Sequence, residues 1–302
     1  MRIEQLEYLL AVTEHGSLRR ASERLHLSQP ALSEALTKLE RELGVTLLDR
    51  HRSGSRISRE GRALHRHMVE VLDAVGRLRA AAGDDSRHRP VRLGTVNAAT
   101  STLLVPAVAA FQREHPELTV EVQTIQQRAI HEGLADGTLD LGLVNELLDD
   151  DPDSALGLTG TVLLRGRPVA VLPAGHRLAS HPEVSVDDLR EERFVGMRAG
   201  YLMHRVAEHL FEGTPPRTVH STDGAEMGKV MVAEGLGVTL LPDYSVEGDP
   251  MHRAGLIVHR PIAGEAPGVR LVLRHRRLDG GQRPPAHVVE LVGHLRRTAA
   301  AL

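Results

Sequence analysis

The chain has 302 residues, 41% hydrophobic and 25% charged, with no cysteine, no tryptophan and 2% aromatic residues. Its composition excludes a disordered, collagen-like or disulfide-stapled protein, and its length predicts two or three domains. The formal net charge of −3 hides an asymmetry: twelve Lys and Arg face nine Asp and Glu from Met1 to Arg66, and the remainder is acidic.

No apolar run approaches the roughly 18 residues of a membrane span, and Met1-Arg2-Ile3-Glu4-Gln5 lacks the layout of a secretory signal. A cytoplasmic protein with no membrane partner is expected. Without cysteine, only His and carboxylates remain as metal ligands. The 18 histidines are scattered, so neither metal nor cofactor is expected. With so few aromatic rings, nucleic acid must be met through charge and groove shape rather than base stacking. Arg50, Arg52, Arg56, Arg59, Arg62 and Arg66 face only Glu60, a cluster suited to a phosphate backbone, although a lone basic run of this size is more often a solvated face.

Ile3, Leu6, Leu9 and Leu10 recur at helical spacing. His15-Gly16 ends that helix, and Ser17 offers an N-cap to a second one striped by Leu18, Ala21 and Leu25. After His26-Leu27, Ser28 is another N-cap, with Pro30 in the first turn of a third helix. There Leu32, Ala35, Leu36, Leu39 and Leu43 share one face, while Gln29, Ser33 and Thr37 lie four apart on the opposite one. A helix that packs by one side and offers small polar groups on the other suits a helix-turn-helix entering a major groove about 12 Å wide. Gly44 stops it, and Thr46 to Asp49 with Arg56 to Ser58 read as a two-stranded wing.

The run Leu6-Glu7-Tyr8-Leu9, Gly16-Ser17, Ala21, Leu25, Leu27-Ser28-Gln29-Pro30-Ala31-Leu32-Ser33, Leu39-Glu40, Glu42-Leu43-Gly44-Val45, Leu47 and Arg50 resembles the winged helix-turn-helix of LysR-type transcriptional regulators. The resemblance implies base reading by Gln29, Pro30, Ser33 and Glu34, and phosphate contacts from Ser28, Lys38 and the wing arginines Arg50, Arg52 and Arg56. Glutamine can pair with adenine N6/N7. Glu34 departs from the family, which often carries Arg there; a carboxylate either accepts from cytosine N4 or pairs with Lys38 four residues on.

From Ser58 to about Ala82 a long helix is expected, with Leu64, Met68, Val71, Val75, Leu78 and Ala82 in a heptad seam. Such a stripe seeks a second subunit or the chain's own core. By resemblance the linker helices pair, implying a homodimer or homotetramer. Gly83-Asp84-Asp85-Ser86 forms a polar hinge ending near Pro90.

Beyond the hinge, strand-like segments at 91–96, 119–125 and 139–144 alternate with helical ones at 103–113 and 129–135. A second set follows, with strands at 168–172, 193–197, 218–221 and 238–241 and helices at 201–211 and 225–234; a strand at 269–274 and a helix at 286–297 then rejoin the first set. Two crossings, at 165–168 and 260–268, suggest two subdomains with a cleft between them. By resemblance this is an effector domain like the periplasmic binding proteins. The whole is an α+β chain of two parts: a winged helix-turn-helix over about 1–60, a linker helix and hinge over 61–88, and an α/β effector-binding domain over 89–302. Within the last, subdomain I spans about 89–165 and 268–302, and subdomain II about 166–267.

The resemblance places effector contacts at Thr100, Ser101, Gln126, Asn145, Arg198, Tyr201 and Asp223. Helix N-termini at such a cleft favour negative groups, so an anionic or polar small molecule is expected, with Arg198 the cation at the rim. No nucleophile elbow, P-loop or dinucleotide glycine signature occurs, His131-Glu132 lacks a second His at metalloprotease spacing, and the acidic stretch from Glu146 to Asp153 reads as a solvated loop. The expected function is a ligand-responsive transcriptional regulator acting on double-stranded promoter DNA, with RNA polymerase as a further partner. A winged-helix module fused to a cryptic enzyme, and a constitutive architectural DNA-binding protein, are the alternatives.

Overall fold

The computed structural model describes residues 1–51, 54–81, 90–150, 157–216, 218–277 and 284–302. The expectations for Arg52 and for the hinge from Gly83 to Ser86 lie outside the described residues, as do those for the side chains of Arg50 and Leu78. The chain divides into two compact units, Met1–Arg87 and His88–Leu302.

The first unit contains α1 (Ile3–His15), α2 (Leu18–Arg24), α3 (Gln29–Leu43), β1 (Leu48–His51), β2 (Gly54–Ile57) and α4 (Arg59–Ala81). Local chemistry sets the boundaries. Gly16 ends α1 at φ 67, in the left-handed region that suits glycine. The Ser17 hydroxyl accepts from Arg20 N at 3.1 Å and the Ser28 hydroxyl from Ala31 N at 3.3 Å. Leu6, Leu9, Val12, Leu32, Leu36 and Leu39 interlock at the centre, each at most 1% exposed. The wing pairs in antiparallel register, Leu48 opposite Ile57 and His51 opposite Gly54, two residues later in β1 than the sequence pattern suggests. The reason is that Leu47 N and Leu48 N donate to the Glu40 carboxylate at 2.8 and 3.1 Å, while Ser58 Oγ donates to Thr46 O at 2.5 Å. Thr46 O and Leu47 N are thereby taken up by side chains, and Leu47 O accepts from Ser58 N at 2.9 Å just beyond the ladder.

The second unit runs β3 (Val91–Thr95), a π-helical turn (Thr100–Leu104), α5 (Val105–Glu114), β4 (Val120–Thr124), α6 (Gln127–Asp136), β5 (Leu141–Leu147), β6 (Leu158–Gly166), β7 (Pro168–Pro173), α7 (Val186–Arg190), β8 (Phe194–Met197), α8 (Leu202–Phe211), β9 (Thr218–Thr222), α9 (Ala225–Ala233), β10 (Thr239–Pro242), α10 (Pro250–Arg253), β11 (Ile257–Pro261), β12 (Val269–Arg276) and α11 (Ala286–Ala300). Strand order β4-β3-β5-β12-β6 makes lobe I; β10-β7-β11 with the parallel pair β8-β9 makes lobe II. The chain crosses between them after β6 and again after β11. β6 and β11 lie at sheet edges, where one partner strand and partial exposure leave only a weak apolar alternation to read. A continuous apolar core runs through both lobes.

Candidate DNA interface and effector cleft

In the first unit α3 is sharply partitioned. Gln29, Pro30, Glu34, Thr37 and Lys38 are exposed and Ser33 is half-buried, opposite the fully buried Leu32, Leu36 and Leu39. Gln5 Nε2 donates to Ala35 O at 2.9 Å, locking α1 against the helix that presents this face. Arg56, on β2, is exposed. The wing is pressed against the first turn: Ser55 N donates to Gly16 O at 2.9 Å, and a Cβ on Gly54, at φ 139, would stand 2.6 Å from that oxygen. Among the described residues no ion pair joins Glu34 to Lys38. Both instead line a groove between α1 and α3 with Arg2 and Tyr8, so the intrahelical salt bridge is set aside. The expected seam positions differ in burial. Met68 is 5% exposed within the first unit's own core and Leu64 packs against it, whereas Val71 stays 41% exposed.

The second site lies between the lobes, where loops at the carboxyl ends of strands converge. Asn97 and Ala99 both adopt positive φ, 61 and 51, a conformation costly for an alanine. Ala99 is held there because its N–H donates to Ser245 Oγ at 3.2 Å. The π-helical turn that follows is stitched to lobe II: Thr102 Oγ1 donates to Tyr244 O at 2.9 Å, and Ser101 Oγ donates to Asp249. Lys229, fully buried on α9, donates to Asp249 at 2.5 Å, to Glu226 at 2.9 Å, to Ser245 O at 3.1 Å and to Ser101 Oγ at 3.3 Å. Burial raises the Asp249 carboxyl, and the hydrogen bonds from Lys229 and Ser101 more than reverse this, leaving it below its ordinary 3.8.

Of the seven expected effector residues, Asn145 and Tyr201 reach the wall of a cavity of about 20 Å³, about the room of one water. Asn145 Oδ1 accepts from Tyr244 Oη at 2.9 Å, while its amide N–H groups have no partner among the described residues. Burial, then the nearby Asp223, raises the Tyr201 hydroxyl above its ordinary 10, so it stays neutral. Gln126 spans the lobes to Ala199 O at 3.3 Å. Arg198 is paired with Asp223 at 3.0 Å. Thr100 Oγ1 donates to Asn97 Oδ1 at 2.9 Å, and the Ser101 hydroxyl is spent on Asp249, so neither lines the cavity. A further interlobe link, Arg205 to Asp150 at 3.1 and 3.3 Å, is bidentate.

Sequence reasoning missed Lys229, Asp249, Tyr244 and Arg205. Lys229 left a signal, since it sits four residues after Ala225 and three before Val232 on the inward stripe of α9. It missed as well the buried Glu146, gripped by Arg270 at 3.0 Å and Arg274 at 2.5 Å. That carboxylate belongs to β5 rather than to a solvated loop.

Residues 3–62 match the model of the bacterial regulatory helix-turn-helix protein, lysR family, and residues 84–300 match the LysR substrate binding domain. The probable hydrogen peroxide-inducible genes activator of Streptomyces viridosporus is 31% identical over 281 residues, 91% of this chain and 88% of that protein. The Hca operon transcriptional activator HcaR of Escherichia coli (strain K12) is 28% identical over 294 residues, 95% of this chain and 94% of that one. Among solved structures, a cysteine-to-aspartate variant of full-length OxyR from Pseudomonas aeruginosa shares the fold with a TM-score of 0.74 at 23% identity, covering 98% of both chains. CbnR, a LysR family transcriptional regulator, gives 0.63 at 23% identity over 99% of both.

Proposed function

Because the chain belongs to the LysR family of transcriptional regulators, which bind DNA and respond to small molecules and are not enzymes, we propose that Gln29 and Ser33 read promoter base edges and that a small molecule between lobes I and II sets the regulatory output. The observation that carries the reading is the partition of α3, with Leu32, Leu36 and Leu39 fully buried and Gln29, Glu34 and Lys38 exposed. Such a helix can enter a major groove without disturbing its own core. Ser28, Lys38, Arg50, Arg52 and Arg56 contact phosphates, with Pro30 and Glu34 at the base edges. A carboxylate at Glu34 can only accept, so cytosine N4 is the partner it favours.

The effector meets Asn145 and Tyr201. A ligand of more than a few atoms must part the lobes against the Arg205–Asp150 and Gln126–Ala199 links, so it acts by shifting the population of lobe separations. Coupling of about 1–3 kcal/mol between ligand and DNA suffices for regulation. One relative is named a probable hydrogen peroxide-inducible genes activator, but this chain has no cysteine and cannot answer an oxidant through a thiol. Val71 and Val75 pair α4 with a second copy in a cytoplasmic homodimer or homotetramer that engages RNA polymerase at the promoter.

The test uses an operator fragment selected from a random-sequence pool with the full-length protein. Gln29→Ala should weaken binding to that fragment by about 1–3 kcal/mol and leave random duplex unaffected in a fluorescence-anisotropy titration. Equal losses on both would remove Gln29 from base reading.

A further inference from the structure

Resting on that cleft as the effector site, we infer that the ligand held between the lobes is uncharged: a small molecule with an amide, hydroxyl or carbonyl group on an apolar body. The first ground is the wall itself. Among the described residues no Asp, Glu, Lys, Arg or His lines the cavity; its polar side chains are Asn97, Gln127, Asn145 and Tyr201, set among apolar side chains that include Met197 and Met203.

The second ground is that the cations bordering the cleft are already committed to carboxylates of the protein. Arg198 is held by Asp223, Arg205 by Asp150 in a bidentate pair, and Lys229 by Asp249 and Glu226. The Arg270 and Arg274 side chains gather around Glu146, which projects from the opposite face of β5 to Asn145 because side chains alternate along a strand. An anion entering this wall would meet the N-termini of α6, α8 and α9 but no charged side chain free to pair with it, and could gain one only by displacing a protein carboxylate from its guanidinium. A neutral carbonyl or hydroxyl needs no such partner. The unpartnered N–H groups of Asn145 can donate to it, and the Tyr201 hydroxyl can donate or accept.

Matched pairs of probes test the charge rule: isobutyramide against isobutyrate and benzamide against benzoate, added to the full-length protein at fixed ionic strength. The readout is the ¹³C-methyl NMR spectrum of the seven methionines, with Met197 and Met203 assigned through M197L and M203L. The amide of each pair should shift the Met197 and Met203 resonances at concentrations at least tenfold lower than its carboxylate. Gln127→Lys, which adds a cation at a half-buried position of the wall, should reverse the preference. Equal or tighter binding of the carboxylates, no shift with any amide, or a Gln127→Lys protein that still rejects carboxylates would overturn the inference. Shifts confined to Met68, Met227, Met231 or Met251 would instead show that the cleft is not the binding site.

Discussion

The recognition helix and the effector cleft are both surfaces for binding, yet they handle polar groups in opposite ways. Helix α3 turns Gln29 away from a finished apolar core, so its amide faces outward, toward an external partner. The cleft turns its charges on one another: Lys229, Arg198 and Arg205 each meet a protein carboxylate. Affinity for a polyanion needs exposed cations and donors. A selective pocket needs its own charges neutralised, so that what remains facing the cavity is a short list of neutral hydrogen-bonding groups.

The largest test of that contrast is Lys229→Ala, which leaves Asp249 buried without its counter-charge. It should destabilise the protein by about 3–5 kcal/mol in urea unfolding, and a paired Lys229→Met, Asp249→Leu change should restore most of the loss. A small effect from the single substitution would mean that the cleft's ion pairs are incidental. On the other side, Gly54→Ala forces a Cβ toward Gly16 O at positive φ and should cost about 1–3 kcal/mol. That loss should appear in the N-terminal unfolding transition, followed by calorimetry, with the C-terminal transition unmoved.

A smaller effect is expected of Arg205→Ala. Its side chain is 56% exposed, and solvent screening limits such pairs to at most about 1 kcal/mol. Urea unfolding checks this, and a loss near that of Lys229→Ala would show the interlobe link to be as dry as the buried network. The smallest effect concerns pH. Burial, then Arg274, holds His131 below its ordinary 6.5; burial, then His252, does the same to His259. Between the folded value and 6.5 the unfolded chain binds more protons, so stability should fall as pH drops below about 6.5. His131→Gln with His259→Gln should flatten that slope in thermal melts. The depressed Asp249 carboxyl contributes only lower down, its stabilisation being complete above 3.8 and lost as pH falls through the folded value.

The sequence by itself determined the N-terminal half of this contrast. Caps at Ser17 and Ser28, the stop at Gly16 and the stripe Leu32, Leu36, Leu39 act within a turn or two of chain. Helical periodicity therefore fixes which side of α3 is buried, and the exposed Gln29 is its complement. The resemblance to LysR-type regulators and the alternation of strands and helices carried the two-lobed fold as well. The use made of each polar side chain in the cleft came only from tertiary structure. Ser101 finds Asp249 across 148 positions and Lys229 across 128, and Arg198 finds Asp223 across 25. A serine at a loop and an arginine at a rim look the same in sequence whether they await a ligand or are already bonded. Hydrogen bonds and ion pairs are satisfied by whichever partner the packed chain brings within about 3 Å, and that proximity is set by how the two lobes close, not by local spacing.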